Sequence, residues 1–222
     1  GEPNIKLKKQ SFDSSGQNVF FEYDGRLYQK RFNLIGGFQA QNVLMAAALV
    51  ISLGSDPQDV FSVLHNILTV KGRMELAASR ANGANIFIDY AHTPDAIETA
   101  ITSLRAHVFG RIIAVIGAGG DRDQSKRPLM GLAASKTADV VIVTDDNPRS
   151  EDPAKIRQMI IKGIGPGISH ECGDRAEAIL RAVDMLDVGD ALLICGKGHE
   201  TGQVIGEDVL PFDDAEQASI SV

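Results

Sequence analysis

Two hydrophobic periods divide this chain. Over residues 1–35 apolar and polar positions alternate, first in IKLKKQ and again in NVFFEY, which puts successive side chains on opposite faces of extended strands. Asp24-Gly25, between FFEY and RLYQKRF, supplies the positive φ angles of a tight hairpin, so a small antiparallel sheet is expected there. From Phe38 the period becomes helical. QAQNVLMAAALVISLG runs to Gly54, a residue suited to a helix C-terminus, and SDPQDVFSVLHNIL opens with Ser55 as N-cap and Pro57 in the first turn. A hairpin sheet and two helices over about 70 residues make a marginal core by themselves.

After LTVKGRMEL the pattern alternates strictly between strand and helix. Strands are expected at residues 86–89, 111–117, 139–145, about 169–172 and 190–195, with helices near 94–106, 128–137, 153–163, 175–186 and 214–221. Runs such as IIAVI and VVIV are apolar on both faces, as strands between two helical layers must be. The fold class is therefore α/β, a doubly wound, mostly parallel sheet preceded by a smaller partial α/β unit. The boundary falls near Thr69 to Gly72, giving domains 1–70 and 71–222, and VIGEDVLPF, with Gly206 in mid-run, reads as a short hairpin added at the sheet edge.

Composition narrows the function classes. A net charge of −7 with 5% aromatic residues gives no nucleic-acid footprint, so any basic site must be local. Cys172 and Cys195 stand apart, without C-x-x-C spacing, which fits reduced, buried thiols in a cytoplasmic protein better than a disulfide scaffold or zinc site. The longest apolar run, Val43 to Leu53, is interrupted by Ser52 and falls far short of the roughly 20 residues of a membrane span, so no membrane insertion is expected. GEPNIKLKKQ has neither the apolar core of a signal peptide nor an initiator Met, and a longer parent protein is expected.

In a doubly wound sheet ligands bind beyond the C-terminal ends of the strands. The unusual residues fall there: DYAHTPDA (89–96), GAGGDRDQSKRPLMG (117–131), DDNPRSEDP (145–153) and GKGHETG (196–202). One site built from four loops is the economical reading. GAGGDRD leads into a charged loop instead of opening a helix as G-x-G-x-x-G, which argues against a nicotinamide site. Its glycines either admit a ligand to the backbone or line an anion nest, with Arg122, Lys126 and Arg127 supplying positive charge; a solvated turn is the alternative. In DNPR the Asn147-Pro148 turn leaves Arg149 projecting, a planar fork suited to a carboxylate, or else a surface ion pair with Glu151. Asp89 is either an N-cap for the helix after Thr93 or a carboxylate that binds a ribose. His92 is a general base or a loop anchor, Glu200 a ligand contact, and His199, His65 and His107 structural or surface residues.

Taken in order, these loops resemble the C-terminal domain of the Mur ligases, and within that family the branch that adds meso-diaminopimelate. GRME (72–75), DYAHTPDA, GGDRD-x-x-KRP (119–128), DNPRSEDP (146–153), DRAEAI (174–179), GKGHE (196–200) and LPFDD (210–214) carry the resemblance over about two thirds of the chain. GGFQAQN (36–42) is similar to the family's adenine-side helix, with Gln39 where Asn is usual and Asn42 matching. The resemblance implies an ATP-dependent, amide-forming ligase. ATP phosphorylates the D-glutamyl carboxylate of UDP-N-acetylmuramoyl-L-alanyl-D-glutamate, and the amine of meso-diaminopimelate attacks the acyl phosphate, with cations holding the developing charge. It implies that Arg73, Asp89 and Asn42 serve ATP, with closure about the 69–73 linker. Arg122, Asp146, Asn147, Pro148, Arg149, Gly196 and Glu200 would hold the amino acid. No G-K-[ST] phosphate loop occurs in the chain; that loop and the Mg²⁺ ligands are expected in a segment preceding Gly1, so the chain alone is expected to be inactive. A lysine-adding Mur ligase, a folylpolyglutamate synthase-like ligase and a non-catalytic nucleotide-binding module are the alternatives.

Overall fold

A computed structural model describes residues 4–222, so the first three positions of the expected extended segment lie outside the described residues. The chain forms two compact units, which meet in sequence between Thr69 and Val70. In the first, β1 (Ile5–Asp13), β2 (Gly16–Tyr23) and β3 (Arg26–Phe32) make an antiparallel meander. The expected turn joins β2 to β3, with Asp24 and Gly25 both at positive φ. Helices α1 (Phe38–Ser52) and α2 (Pro57–Val63) follow, and Val19, Phe21, Phe32, Val43, Leu44 and Phe61 share one core. The cap of α2 is Asp56 instead of Ser55, its carboxylate accepting the Gln58 and Asp59 N–H groups. With Pro57 as the first helical residue, the capping position belongs to the residue just before it.

The second unit is built on a six-stranded sheet of order β4-β5-β9-β6-β7-β8. Its strands are β4 (Glu75–Ser79), β5 (Asn85–Asp89), β6 (Ile112–Ile116), β7 (Val140–Val143), β8 (Ser169–Glu171) and β9 (Ala191–Cys195). All neighbours pair parallel except β4, an antiparallel edge strand absent from the strands expected above. The helices are α3 (Pro94–Arg105), α4 (Lys126–Thr137), α5 (Pro153–Ile161), α6 (Arg175–Asp184) and α7 (Asp214–Ile220). Ile86, Ile88, Ile113, Val115, Leu192 and Ile194 pack against α6 and α7. The alternate strand residues Phe87, Ala114, Val141 and Leu193 are also buried and face the layer of α3, α4 and α5. The expected edge hairpin is instead a separate two-stranded sheet, β10 (Gly202–Ile205) and β11 (Asp208–Pro211), which bridges to Arg149 and not to an edge of the main sheet.

Because β9 inserts between β5 and β6, the loops leaving these strands diverge and open a crevice at their C-terminal ends. A fully buried ion pair braces that end of the sheet. Arg175 Nε and Nη2 each lie 2.7 Å from an Asp214 carboxylate oxygen, Nη2 also donates to the Cys195 carbonyl at 3.0 Å, and Nη1 to the Asp145 carbonyl at 3.3 Å. Removing one partner strands a desolvated charge. Asp214→Ala should therefore destabilise the second unit by about 3–5 kcal/mol, whereas the apolar pair Arg175→Met with Asp214→Leu should recover most of the loss. Urea unfolding followed by hydrogen exchange at the β6 and β9 amides measures both; equal destabilisation by the two variants would show that the pair acts by charge-independent packing.

Candidate functional site

The loop after β5 begins with Asp89, whose carboxylate accepts the Met74 N–H at 2.8 Å and the Ala91 N–H at 2.9 Å. Burial raises its pKa, opposed by those two N–H groups and by the Arg73 charge. Thr93, not Asp89, caps α3, so the cap role left open for Asp89 falls to its neighbour. Asp89 ties the segment before β4 to the end of β5 and does not line the crevice. Arg73 is exposed and lies over the Tyr90 ring, 4.6 Å from its centroid. His92 Nδ1 is 2.8 Å from the Tyr90 carbonyl oxygen, which can only accept. That contact requires the proton on Nδ1 and, in the neutral ring, leaves the Nε2 lone pair free. His92 is thus a loop anchor that also lines the crevice.

Two further loops are locked backbone to backbone. The Gly120 N–H reaches the Asn147 carbonyl at 2.9 Å, and a Cβ on Gly120 would come 1.8 Å from the Pro148 oxygen. The Asp121 N–H is held by Glu151 Oε1 at 2.6 Å. These donors already have acceptors, so the close approach expected for a ligand at Gly120 is made by the chain itself, and the expected anion nest is absent there. Arg127 also departs from expectation. It is buried and makes a bidentate pair with Glu151 at 2.7 and 2.8 Å, so it adds no net charge to the crevice. This pair, assisted by the Asp121 N–H, holds the Glu151 carboxyl down at about 2.

With Glu151 taken by Arg127, the surface ion pair considered for Arg149 does not form. Arg149 Nη1 donates to the Gly120 carbonyl at 2.9 Å, and Arg149 has no carboxylate partner among the described residues. Its backbone is left-handed, with φ 52°, and is held on both sides by β10–β11: the Arg149 N–H donates to the Val204 carbonyl at 3.0 Å, and the Gly206 N–H to the Arg149 carbonyl at 2.8 Å. Arg122 likewise meets no carboxylate, donating only to the Asp121 carbonyl at 3.2 Å, while Lys126 stands 3.9 Å from Asp123.

Between these loops sits Asn147, buried, its Nδ2 donating to Glu200 Oε2 at 3.0 Å. The Asp146 carboxylate accepts the Asn147 N–H at 2.8 Å and lies so close to Gly196 that a Cβ there would come 2.6 Å from Asp146 Oδ2. Lys197, which the sequence reading passed over, is fully buried and contacts both Asn147 and Glu200. Gly-Lys-Gly at a strand end was the available signal, and burial is not readable from it.

The result is a crevice of about 400 Å³ lined by Arg122, Asp146, Asn147, Arg149, Gly196 and Glu200, together with Tyr90 and His92. Pro148 shapes its wall through the contact with Gly120. The Arg122 and Arg149 guanidinium groups and the Asp146 carboxylate, none of them ion-paired among the described residues, face the same space as Glu200, whose Oε2 Lys197 engages. This arrangement matches a zwitterion with a carboxylate and an ammonium. Asn42 belongs to the first unit, where it is exposed on α1 and donates to Gln39 Oε1 at 3.1 Å. Cys172 and Cys195 are buried free thiols, pushed up in pKa mainly by burial.

Residues 72–198, more than half of the chain, match the family described as "Mur ligase, glutamate ligase domain". The chain belongs to the Mur ligase family. The UDP-N-acetylmuramoyl-L-alanyl-D-glutamate--2,6-diaminopimelate ligase of Bradyrhizobium diazoefficiens is 48% identical over 221 residues, 98% of this chain and 44% of its own length. The ligase of the same name from Zymomonas mobilis is 46% identical over 98% of this chain and 45% of its own. A solved structure of a ligase so named matches with TM-score 0.74 and 33% identity over 98% of this chain and 45% of its own. A folylpolyglutamate synthase from Mycobacterium tuberculosis has TM-score 0.69 at 23% identity, over 86% of this chain and 45% of its own, a likeness of fold. The chain spans less than half the length of the curated relatives it matches. Within the family match lie the crevice residues from Tyr90 to Gly196; Glu200 stands just beyond it.

The Arg127–Glu151 pair gives the crevice wall a pH dependence of defined sign. Glu151 has its folded pKa, about 2, below its ordinary value of 4.5, so its stabilising contribution is present above pH 4.5 and is lost as the pH falls toward 2. Glu151→Gln should flatten that limb of the stability curve. Urea midpoints taken at intervals between pH 6 and pH 3 test this; parallel curves for the two proteins would assign the acid limb to other groups.

Proposed function

We propose that this chain is the C-terminal part of the ATP-dependent ligase that adds meso-diaminopimelate to UDP-N-acetylmuramoyl-L-alanyl-D-glutamate in peptidoglycan synthesis, and that the crevice receives the diaminopimelate. The observation that carries this is the Arg149 guanidinium, held at the crevice by backbone contacts on both sides with no carboxylate among the described residues to neutralise it. Diaminopimelate differs from lysine by a carboxylate on the distal carbon, the group such a cation selects. Asp146, which has no cation partner among the described residues, supplies the complementary charge for an ammonium. Glu200 keeps Oε1 as an acceptor although Lys197 engages its other oxygen, and Asn147 is a hydrogen-bond donor beside it. Arg122 is the second free cation. Asp146 and Gly196 set the floor, and Pro148 the wall.

In this reading the first unit, with Asn42 on α1, is the tail of the ATPase domain, and Arg73 and Asp89 act on the ATP side. Arg73 is exposed for a contact with phosphates; Asp89 acts chiefly by fixing the segment that carries Arg73. Among the described residues no group of three or more His, Cys, Asp or Glu is placed to hold a metal, and the sequence has no G-K-[ST], so Mg²⁺ and the phosphate loop are assigned to the rest of the protein. The UDP-linked substrate is assigned there as well. No helix among the described residues is long and apolar enough to cross a membrane. In this reading the ligase works on nucleotide-linked substrates in the cytoplasm.

Arg149→Ala in the full-length ligase should lower kcat/KM for meso-diaminopimelate by roughly 10² or more, since hydrogen bonds to charged groups contribute about 1.5–3 kcal/mol and an unpaired desolvated carboxylate costs further. Use of lysine, which has no carboxylate to lose, should change far less. The ratio of kcat/KM for the two amino acids, in wild type and variant, is the measurement, and an unchanged ratio would place the selectivity elsewhere. Calorimetric titration with diaminopimelate, lysine and glutamate separates this reading from a lysine-adding or folylpolyglutamate synthase-like ligase and from a nucleotide-binding module that takes none of the three.

A further inference from the structure

We infer that Lys197 is a positioning residue for amino-acid recognition: its buried ammonium fixes the orientation of the Asn147 side-chain amide and the place of the Glu200 carboxylate before any substrate arrives. The inference rests on reading the crevice as the amino-acid site.

Lys197 is 0% exposed, in a loop whose lysine is flanked by Gly196 and Gly198. Its three N–H bonds have three acceptors: Asn147 Oδ1 at 3.0 Å, the Gly202 carbonyl at 2.5 Å and Glu200 Oε2 at 3.4 Å. An ammonium donates only. The atom of Asn147 that faces it must therefore be the oxygen, and the Val204 N–H, 3.0 Å from the same Oδ1, imposes the same choice. Both lone pairs of that oxygen are then used. The NH₂ end is turned the other way, where one N–H meets Glu200 Oε2 at 3.0 Å and the second is left for the crevice that Asn147 lines. A flipped amide would press its NH₂ against an ammonium and a backbone N–H and its oxygen against the Glu200 carboxylate, losing three hydrogen bonds and gaining three repulsions.

Glu200 is held by the same two residues through Oε2, which leaves Oε1 to the crevice and to the Tyr90 hydroxyl 3.5 Å away. A donor from Asn147 and an acceptor from Glu200 are thus set side by side, the pattern that the carboxylate and ammonium of one α-amino-acid centre require. Lys197 has no place of its own on the crevice surface, so its influence on the substrate runs through these two side chains.

Lys197→Met keeps an unbranched chain in the slot and removes the ammonium. In the full-length ligase it should raise KM for diaminopimelate roughly ten- to a hundredfold, while kcat falls less than about threefold. In an Asn147→Ala background the same substitution should cost clearly less than it does in the wild type, because one of the two side chains it acts on is gone and only the Glu200 contact remains to be lost. Full additivity of the two substitutions would overturn the proposal, as would a loss confined to kcat. A second measurement needs no variant to fold: ¹⁵N relaxation of the Asn147 side-chain amide in the ligand-free protein should show an ordered group, and a mobile amide would also overturn it. If Asn147→Ala and Arg149→Ala leave diaminopimelate use unchanged, the assignment of the crevice is what fails, and the order of the amide in Lys197→Met against the wild type still decides whether Lys197 positions it.

Discussion

The carbonyl oxygen of Pro148 occupies the space that a side chain on residue 120 would need. From this contact the architecture of the crevice follows. It brings the Gly120 N–H to the Asn147 carbonyl and the Gly120 carbonyl to Arg149, so the loop after β6 and the loop after β7 become one wall. It also carries Glu151 over the start of the charged loop, where Asp121, Gln124 and Arg127 all bind it. Any Cβ at 120 would have to push these loops apart, and with them the hairpin that clasps Arg149 from the other side.

The electrostatics work by subtraction. The unit contains many ion pairs around its strand ends: Arg127 with Glu151, Arg157 with Asp145 and Glu171, and Arg175 with Asp214. Each removes a cation and at least one anion from the set available to a ligand, and Lys197 engages one oxygen of Glu200 in the same way. The guanidinium groups left over at the crevice are those of Arg122 and Arg149, and these are exposed to it through loops that are themselves held by backbone contacts. A free cation on a rigid loop loses little side-chain and loop freedom when an anion arrives, so such a site favours a ligand that brings a carboxylate to it.

Much of this was legible in the sequence, and the Arg149→Ala expectation could be framed from it. The doubly wound sheet follows from strands apolar on both faces, and the site follows from four strand ends rich in Gly, Asp, Arg and Asn, because the topology sends those ends to one side. What escaped depends on distance in space. ELAAS is too short and too weakly alternating to announce β4, whose place is set by pairing with β5. Arg127 and Arg122 are alike as letters; only packing against Met159 and Glu151 makes the first structural. The hairpin at Gly206 was readable, whereas its docking on Arg149 was not, since nothing local records which backbone groups it will meet.

The loop 196–200 touches both the crevice and the segment that carries Arg73. On one side it presents Lys197 and Glu200 to Asn147. On the other it is packed against the segment that carries Arg73, so tightly that a Cβ on Gly72 would lie 2.3 Å from the His199 nitrogen. Tyr90 spans the same two sides, with its hydroxyl toward Glu200 and its ring face under the Arg73 guanidinium. Asp89 completes the connection by holding the Met74 N–H at the end of β5. Interiors packed in this way shift as units instead of yielding locally. A displacement of Glu200 is therefore resisted by Gly72, Tyr90 and Asp89 together, and the segment bearing Arg73 takes its position from the same contacts that shape the crevice.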